Sequence, residues 1–139
     1  MNEPSAIDAL SQALEQDDRF LAAIVFGSQV RGGARPDSDI DVAVLMRDAA
    51  ARQSLNHAVI DTLGRLAMQV QRDVHLVDLE LIGEDLRHSI FASGKRLFDR
   101  SQGRLHELHR SSAIAYVDAE YLRRMIDRLH RDKLERAGG

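Results

Sequence analysis

The chain has 139 residues and a mass of 15.6 kDa, 44% of its side chains are apolar and 29% charged, which fits one folded domain with its own core and excludes a disordered or collagen-like chain. With no cysteine, a disulfide framework, a thiolate zinc site and a cysteine nucleophile are excluded. Nineteen Lys and Arg face 22 Asp and Glu, net −3, so duplex nucleic acid is not the expected partner; residues 1–100 carry 11 basic and 16 acidic side chains and residues 101–139 carry 8 and 6, making the tail the more basic part.

Ala6, Ile7, Leu10, Ala13 and Leu14 recur with a helical period behind Ser5, a capping residue, and predict a helix over about 5–16. The apolar run Phe20 to Phe26 ends at Gly27 and predicts a first strand buried on both faces. Residues 27–38 are rich in Gly, Ser, Arg and Asp and predict a loop with room for one helical turn after Ser28. Asp39 to Leu45 follows as a second strand. Residues 49–69 place Leu55, Val59, Leu63, Leu66 and Val70 on one stripe behind Asp48, the pattern of one long helix. Asp73 to Leu79 reads as a third strand, Leu86 to Ser93 as a short helix stopped by Gly94, and Lys95 to Phe98 as a short edge strand. Beyond the linker at 100–104, Leu105, Leu108, Ser112, Ala115, Ala119, Leu122, Ile126 and Leu129 form a heptad seam that asks for another helix, the protein's own or a partner's. The expected class is α/β (α+β), a small mixed sheet flanked by helices with a long C-terminal helix. Residues 1–100 form the domain and 101–139 a packing or partner-binding extension. No apolar run approaches the about 20 residues of a membrane span, and the acidic start lacks a signal peptide's pattern, so a soluble, cytoplasmic chain without a membrane partner is expected.

The chemistry concentrates in residues 27–45. Alternation along a strand puts Asp39 and Asp41 on one face, about 6.6–6.8 Å apart, with Ile40, Val42 and Val44 on the other. Two carboxylates on one site repel unless a cation lies between them, and hard oxygen ligands suit Mg²⁺ or Mn²⁺ holding substrate phosphates. Gly27 and Ser28 follow a buried strand directly, where a residue without Cβ lets the backbone approach a ligand and exposed N–H groups favour anions. Arg31 and Arg35 lie in the same loop, suited to neutralise charge developing on phosphates. Together these features point to attack on the α-phosphate of a nucleotide, with pyrophosphate leaving.

In this order, with ten residues between Ser28 and Asp39, GSQVRGGARPDSDIDVAVL resembles the GS-x10-DxD signature of the nucleotidyltransferase superfamily that includes DNA polymerase beta, and in particular its minimal nucleotidyltransferase (MNT) members. The likeness covers about residues 10–100 and extends to Asp73–Leu79 and Gly94–Phe98. Similar proteins are the MntA-type antitoxins encoded beside HEPN toxins. The resemblance implies the nucleotidyltransferase fold and a two-metal site that uses ATP to transfer AMP onto a tyrosine of a HEPN ribonuclease, in a hetero-oligomer with that toxin and with no direct nucleic-acid partner. By position it implies that Gly27 and Ser28 hold the triphosphate and that Asp39 and Asp41 bind the metal. The third carboxylate of the family falls at residue 75, which is His75 here. Three readings follow: His75 serves as general base or nitrogen ligand; Asp73, two residues earlier on the same face, takes the role through a shift in strand register; or transfer is weakened or lost and the protein acts by binding alone. A small-molecule, antibiotic-type nucleotidyltransferase is a further alternative, disfavoured by the short chain.

Arg104 and His109 match the R-x4-H core of a HEPN motif, but Ser111 stands where that motif has tyrosine, and the match reads as coincidence. His57, His88, His106 and His130 lack metal-ligand spacing. Asp78 reads as a strand-end residue, Tyr116 and Tyr121 as contact residues, and Arg123, Arg124, Arg128 and Arg131 as a solvated face or a basic rim for an acidic partner.

Overall fold

The computed structural model describes residues 5–27 and 38–138. In chain order the elements are α1 (Ala6–Glu15), β1 (Phe20–Phe26), β2 (Ile40–Met46), α2 (Ala49–His57), α3 (Val59–Val70), β3 (Val74–Asp78), α4 (Glu84–Ser93), β4 (Lys95–Asp99) and α5 (Arg104–Gly138). The four strands form one sheet in the order β3-β2-β1-β4. β1 runs antiparallel to both β2 and β4, while β2 and β3 are parallel and joined through α2 and α3. The mixed sheet flanked by helices, with a long last helix, is the class that the sequence predicts.

Period-two alternation divides the core into two layers. Ala23, Val25, Ile40, Val42, Val44 and Met46 lie on the face that packs with Leu10 and Leu14 of α1 and with α2 and α3. Ala22, Ile24, Ala43 and Leu45 lie on the other, beneath Leu79, Ile90 and Leu105. β1 and β2 are therefore buried on both sides, which is why both read as unbroken apolar runs. Ser5 accepts from Asp8 N at 3.1 Å and caps α1 as expected.

The long helix predicted over 49–69 is two helices. Ala58 leaves helical geometry at φ −122° and ψ 23°, with its N–H directed to the carbonyls of Ser54 and Leu55. The halves serve different neighbours, α2 resting on β2 and α3 on α1 and β3. The buried stripe differs accordingly: Ala51 and Leu55 on α2, then Thr62, Leu66 and Val70 on α3, with Val59 at 38% exposure. Thr62 is buried because its hydroxyl accepts from Arg19 Nη2 at 3.2 Å, and that guanidinium is itself held by Asp17; a buried hydroxyl with a partner carries little penalty.

Only the start of the predicted seam on α5 is covered. Leu105 and Ser112 are buried, Leu108 and Ala115 are half-buried, and every residue from Tyr121 to Ala137 is exposed. The covered part packs on α4 through two stacked ring pairs, His88 on Tyr116 at 3.7 Å and Phe91 on His109 at 4.4 Å. No helix among the described residues is long and apolar enough to cross a membrane.

Candidate active site

The strand register brings Gly27, Asp39, Asp41 and His75 together at the end of the sheet where β1 ends and β2 and β3 begin. Asp41 lies opposite Phe26 of β1 and beside His75 of β3. Asp39, predicted as the first residue of the strand, stands just ahead of β2. Both carboxylates reach the same imidazole, Asp41 Oδ1 at 3.4 Å from His75 Nδ1 and Asp39 Oδ2 at 3.6 Å from His75 Nε2. The side chains of Asp39, Asp41 and His75 are 50%, 36% and 60% exposed, which leaves the cluster open to an incoming ligand. Two residues apart on an extended chain, the carboxylates share a face as their spacing requires.

Gly27 closes the site from the β1 side. Its φ of +76° is the left-handed conformation that favours glycine, and a Cβ built on it would lie 2.8 Å from Asp41 Oδ2. The bend after β1 thus lies against the Asp41 carboxylate, in a backbone conformation that favours glycine. Ser28, Arg31 and Arg35 lie outside the described residues.

The pairing Asp41 to His75 fixes the register of β3, and the N–H of Ile40 donates to Asp73 O at 2.9 Å. No register shift moves Asp73 into the place of His75. Asp73 precedes β3 and instead lines, with Asp39, Met68, Gln71 and Arg72, an open groove of about 480 Å³ at the end of α3. Arg72 was not a sequence candidate. Its Nε donates to Ser38 O at 2.8 Å and its Nη2 to the Ser38 carbonyl and hydroxyl, which anchors the chain immediately before Asp39. Nothing in its sequence position distinguishes it from other surface arginines.

The donor set suits a hard divalent cation. Two carboxylates leave coordination sites for phosphate oxygens and water, the mode in which Mg²⁺ is usually bound, and an imidazole nitrogen adjoining them is better tolerated by Mn²⁺. Among the described residues no group of three or more His, Cys, Asp or Glu side chains is arranged to hold a metal by itself.

Arg104, His109 and Asp78 have structural partners. Arg104 Nη1 donates to Arg47 O at 2.8 Å and His109 stacks on Phe91, so the R-x4-H pair is used within the fold. Asp78 pairs with Arg52 at 2.6 Å and accepts from Glu80 N. Burial, helped by the nearby Arg96, His106 and His88, holds the His109 imidazole below its ordinary value.

A small mixed sheet whose central strand presents paired carboxylates beside a glycine bend defines a nucleotide-transferring domain. The family described as Polymerase beta, Nucleotidyltransferase matches residues 8–103, more than half of the chain, and the protein belongs to that family. A solved structure described as a toxin-antitoxin with AMP-PNP is similar with 25% identity and a TM-score of 0.65, over 86% of this chain and 94% of that one. A structure of a tri-AMPylated Shewanella oneidensis HEPN toxin in complex with an MNT antitoxin is similar with 23% identity and a TM-score of 0.61, over 87% and 92%. One described as the toxin-antitoxin MntA-HepT has 23% identity and a TM-score of 0.60, again over 87% and 92%. The last two share the fold. No curated protein matches the chain.

Proposed function

We propose that this nucleotidyltransferase is an antitoxin that transfers AMP from ATP to a tyrosine hydroxyl of a HEPN-type toxin, in a complex with that toxin. The observation that carries the reading is the contact of the Gly27 bend with Asp41, on the face where Asp39 and His75 converge. The AMP-PNP of one similar structure and the AMPylated toxin of another belong to those proteins; they supply the nucleotide and acceptor that the reading carries over.

In the proposed reaction the acceptor oxygen attacks the α-phosphorus of ATP, the new O–P bond forms, and the bond to the bridging oxygen breaks to release pyrophosphate. Gly27 and Ser28 offer backbone N–H groups to the triphosphate, while Arg31 and Arg35 offset charge as it develops. Asp39 and Asp41 hold Mg²⁺ or Mn²⁺, whose chemistry when bound is to withdraw charge from the phosphate oxygens. His75 takes the proton of the acceptor hydroxyl. Incubation of the chain and its toxin with labelled ATP tests the reading. Asp41→Asn should lower labelling by roughly a hundredfold or more, and His75→Ala by about 10²-fold. Absence of label with either metal removes the enzymatic claim.

His75 itself favours a second reading, neutralisation by binding alone, because an imidazole supplies less negative charge than the carboxylate expected there. Under that reading Asp39→Asn with Asp41→Asn still neutralises the toxin fully.

A further inference from the structure

We infer that the outer half of α5 is a docking surface for an apolar groove with an acidic rim on the toxin, an inference that rests on the partner proposed above. Val117, Tyr121, Leu122, Met125, Ile126 and Leu129 are between 40% and 63% exposed. They fall in two adjoining rows at four-residue spacing, Val117-Tyr121-Met125-Leu129 and Leu122-Ile126, and so form one continuous face. A soluble protein seldom presents such a face to water unless another molecule covers it. Among the described residues the helix beyond Tyr116 has no buried residue of its own, and helices in proteins draw most of their stability from packing of an apolar face, so a partner that covers the face also supports the helix.

Charge selects the occupant. From Tyr121 to Arg136 six Arg and Lys stand against three Asp and Glu. Arg124 and Arg128 border one side of the apolar rows, Arg123 and His130 the other. Glu120 is engaged by Arg123 at 2.8 Å and lies 4.0 Å from Arg124, whereas among the described residues Arg128 and Arg131 have no acidic partner within ion-pair distance. Two copies of α5 packed antiparallel around Met125 would set Arg124 and Arg128 of each against those of the other, which costs free energy. An acidic rim reverses the sign, and the basic border then both steers encounter and fixes the orientation.

The experiment measures binding of the purified full chain to the toxin by calorimetry or biosensor, with light scattering on the chain alone. Leu122→Glu with Ile126→Glu should weaken toxin binding by about 30-fold or more. Arg124→Glu with Arg128→Glu should weaken it by about 10-fold and reduce its dependence on salt. ATP affinity and unfolding midpoint should match the parent in both variants, because every substituted residue is exposed. If the parent binds the toxin and both variants bind as tightly, the docking surface is elsewhere while the antitoxin reading stands. A parent chain that does not bind the toxin overturns both. Self-association abolished by the Leu122 and Ile126 substitutions would show that a second copy is the occupant and overturn the inference alone.

Discussion

Gly27 joins backbone conformation to chemistry more directly than any other described residue. Its positive φ excludes most side chains on strain, and the space beside it is already taken by the Asp41 carboxylate. Gly27→Ala should therefore destabilise the fold by about 1–2 kcal/mol and, by displacing Asp41, lower the proposed AMP transfer by about 10²-fold; urea unfolding and labelled-ATP transfer read the two effects separately. Gly64 supplies the contrast: it lies within α3 with nothing within 4 Å of an added Cβ, so Gly64→Ala should stabilise by up to about 1 kcal/mol and leave transfer unchanged. That Asp39 and Asp41 share a face is legible in sequence because strand alternation has only two outcomes. The burial of Thr62 and the grip of Arg72 on Ser38 are not, since each depends on a partner tens of positions away that no local period announces.

Between elements, the seat of α4 depends on polar groups that a hydrophobic pattern cannot show. Arg87 of α4 is buried, and its guanidinium donates to the carbonyls of Leu79 at 2.6 Å, Glu80 at 3.1 Å and Ile82 at 2.9 Å while pairing with Glu84. Ser112 of α5 closes the network on Glu84 at 3.0 Å. Arg87→Met keeps the volume but leaves three carbonyls and a carboxylate without their donor, and should cost about 3 kcal/mol in urea unfolding. The stacked pair Phe91 and His109 gives the same interface a pH dependence. Burial first, then Arg96, His106 and His88, place the folded His109 below its ordinary value of 6.5, so below that pH the unfolded chain binds the extra proton before the folded one does. Stability should fall as pH drops from 6.5 toward the folded value and be flat above it. His109→Phe, which retains a ring on Phe91 without a titrating group, should flatten that slope between pH 5 and 7.5. The sequence marks α4 by its stop at Gly94, and α5 by its periodic leucines. The break at Ala58 leaves no such mark, because no glycine or proline produces it; it arises where α2 and α3 part to follow different neighbours.

At the scale of the molecule the chain divides into a packed body and a helix that leaves it. The heptad seam is regular to Leu129 in sequence, yet it is covered only as far as α4 extends, and a seam cannot reveal from its own spacing where its cover ends. The division predicts two different truncations. Removing residues 121–139 takes away no buried side chain, so the unfolding midpoint should stay within about 0.5 kcal/mol of the parent, with little change in the denaturant slope, which follows the surface exposed on unfolding. Removing everything from Leu105 onward strips Leu105 from the second core layer, Ser112 from Glu84, and the rings that cover His88 and Phe91. Burial of one large apolar side chain alone is worth about 2–5 kcal/mol, a large share of the stability of a domain this size, so that truncation should leave a chain without a cooperative transition. A loss above about 2 kcal/mol on removal of 121–139 would mean that the outer half of α5 folds back onto the body in solution, and the apolar face would then already have its cover.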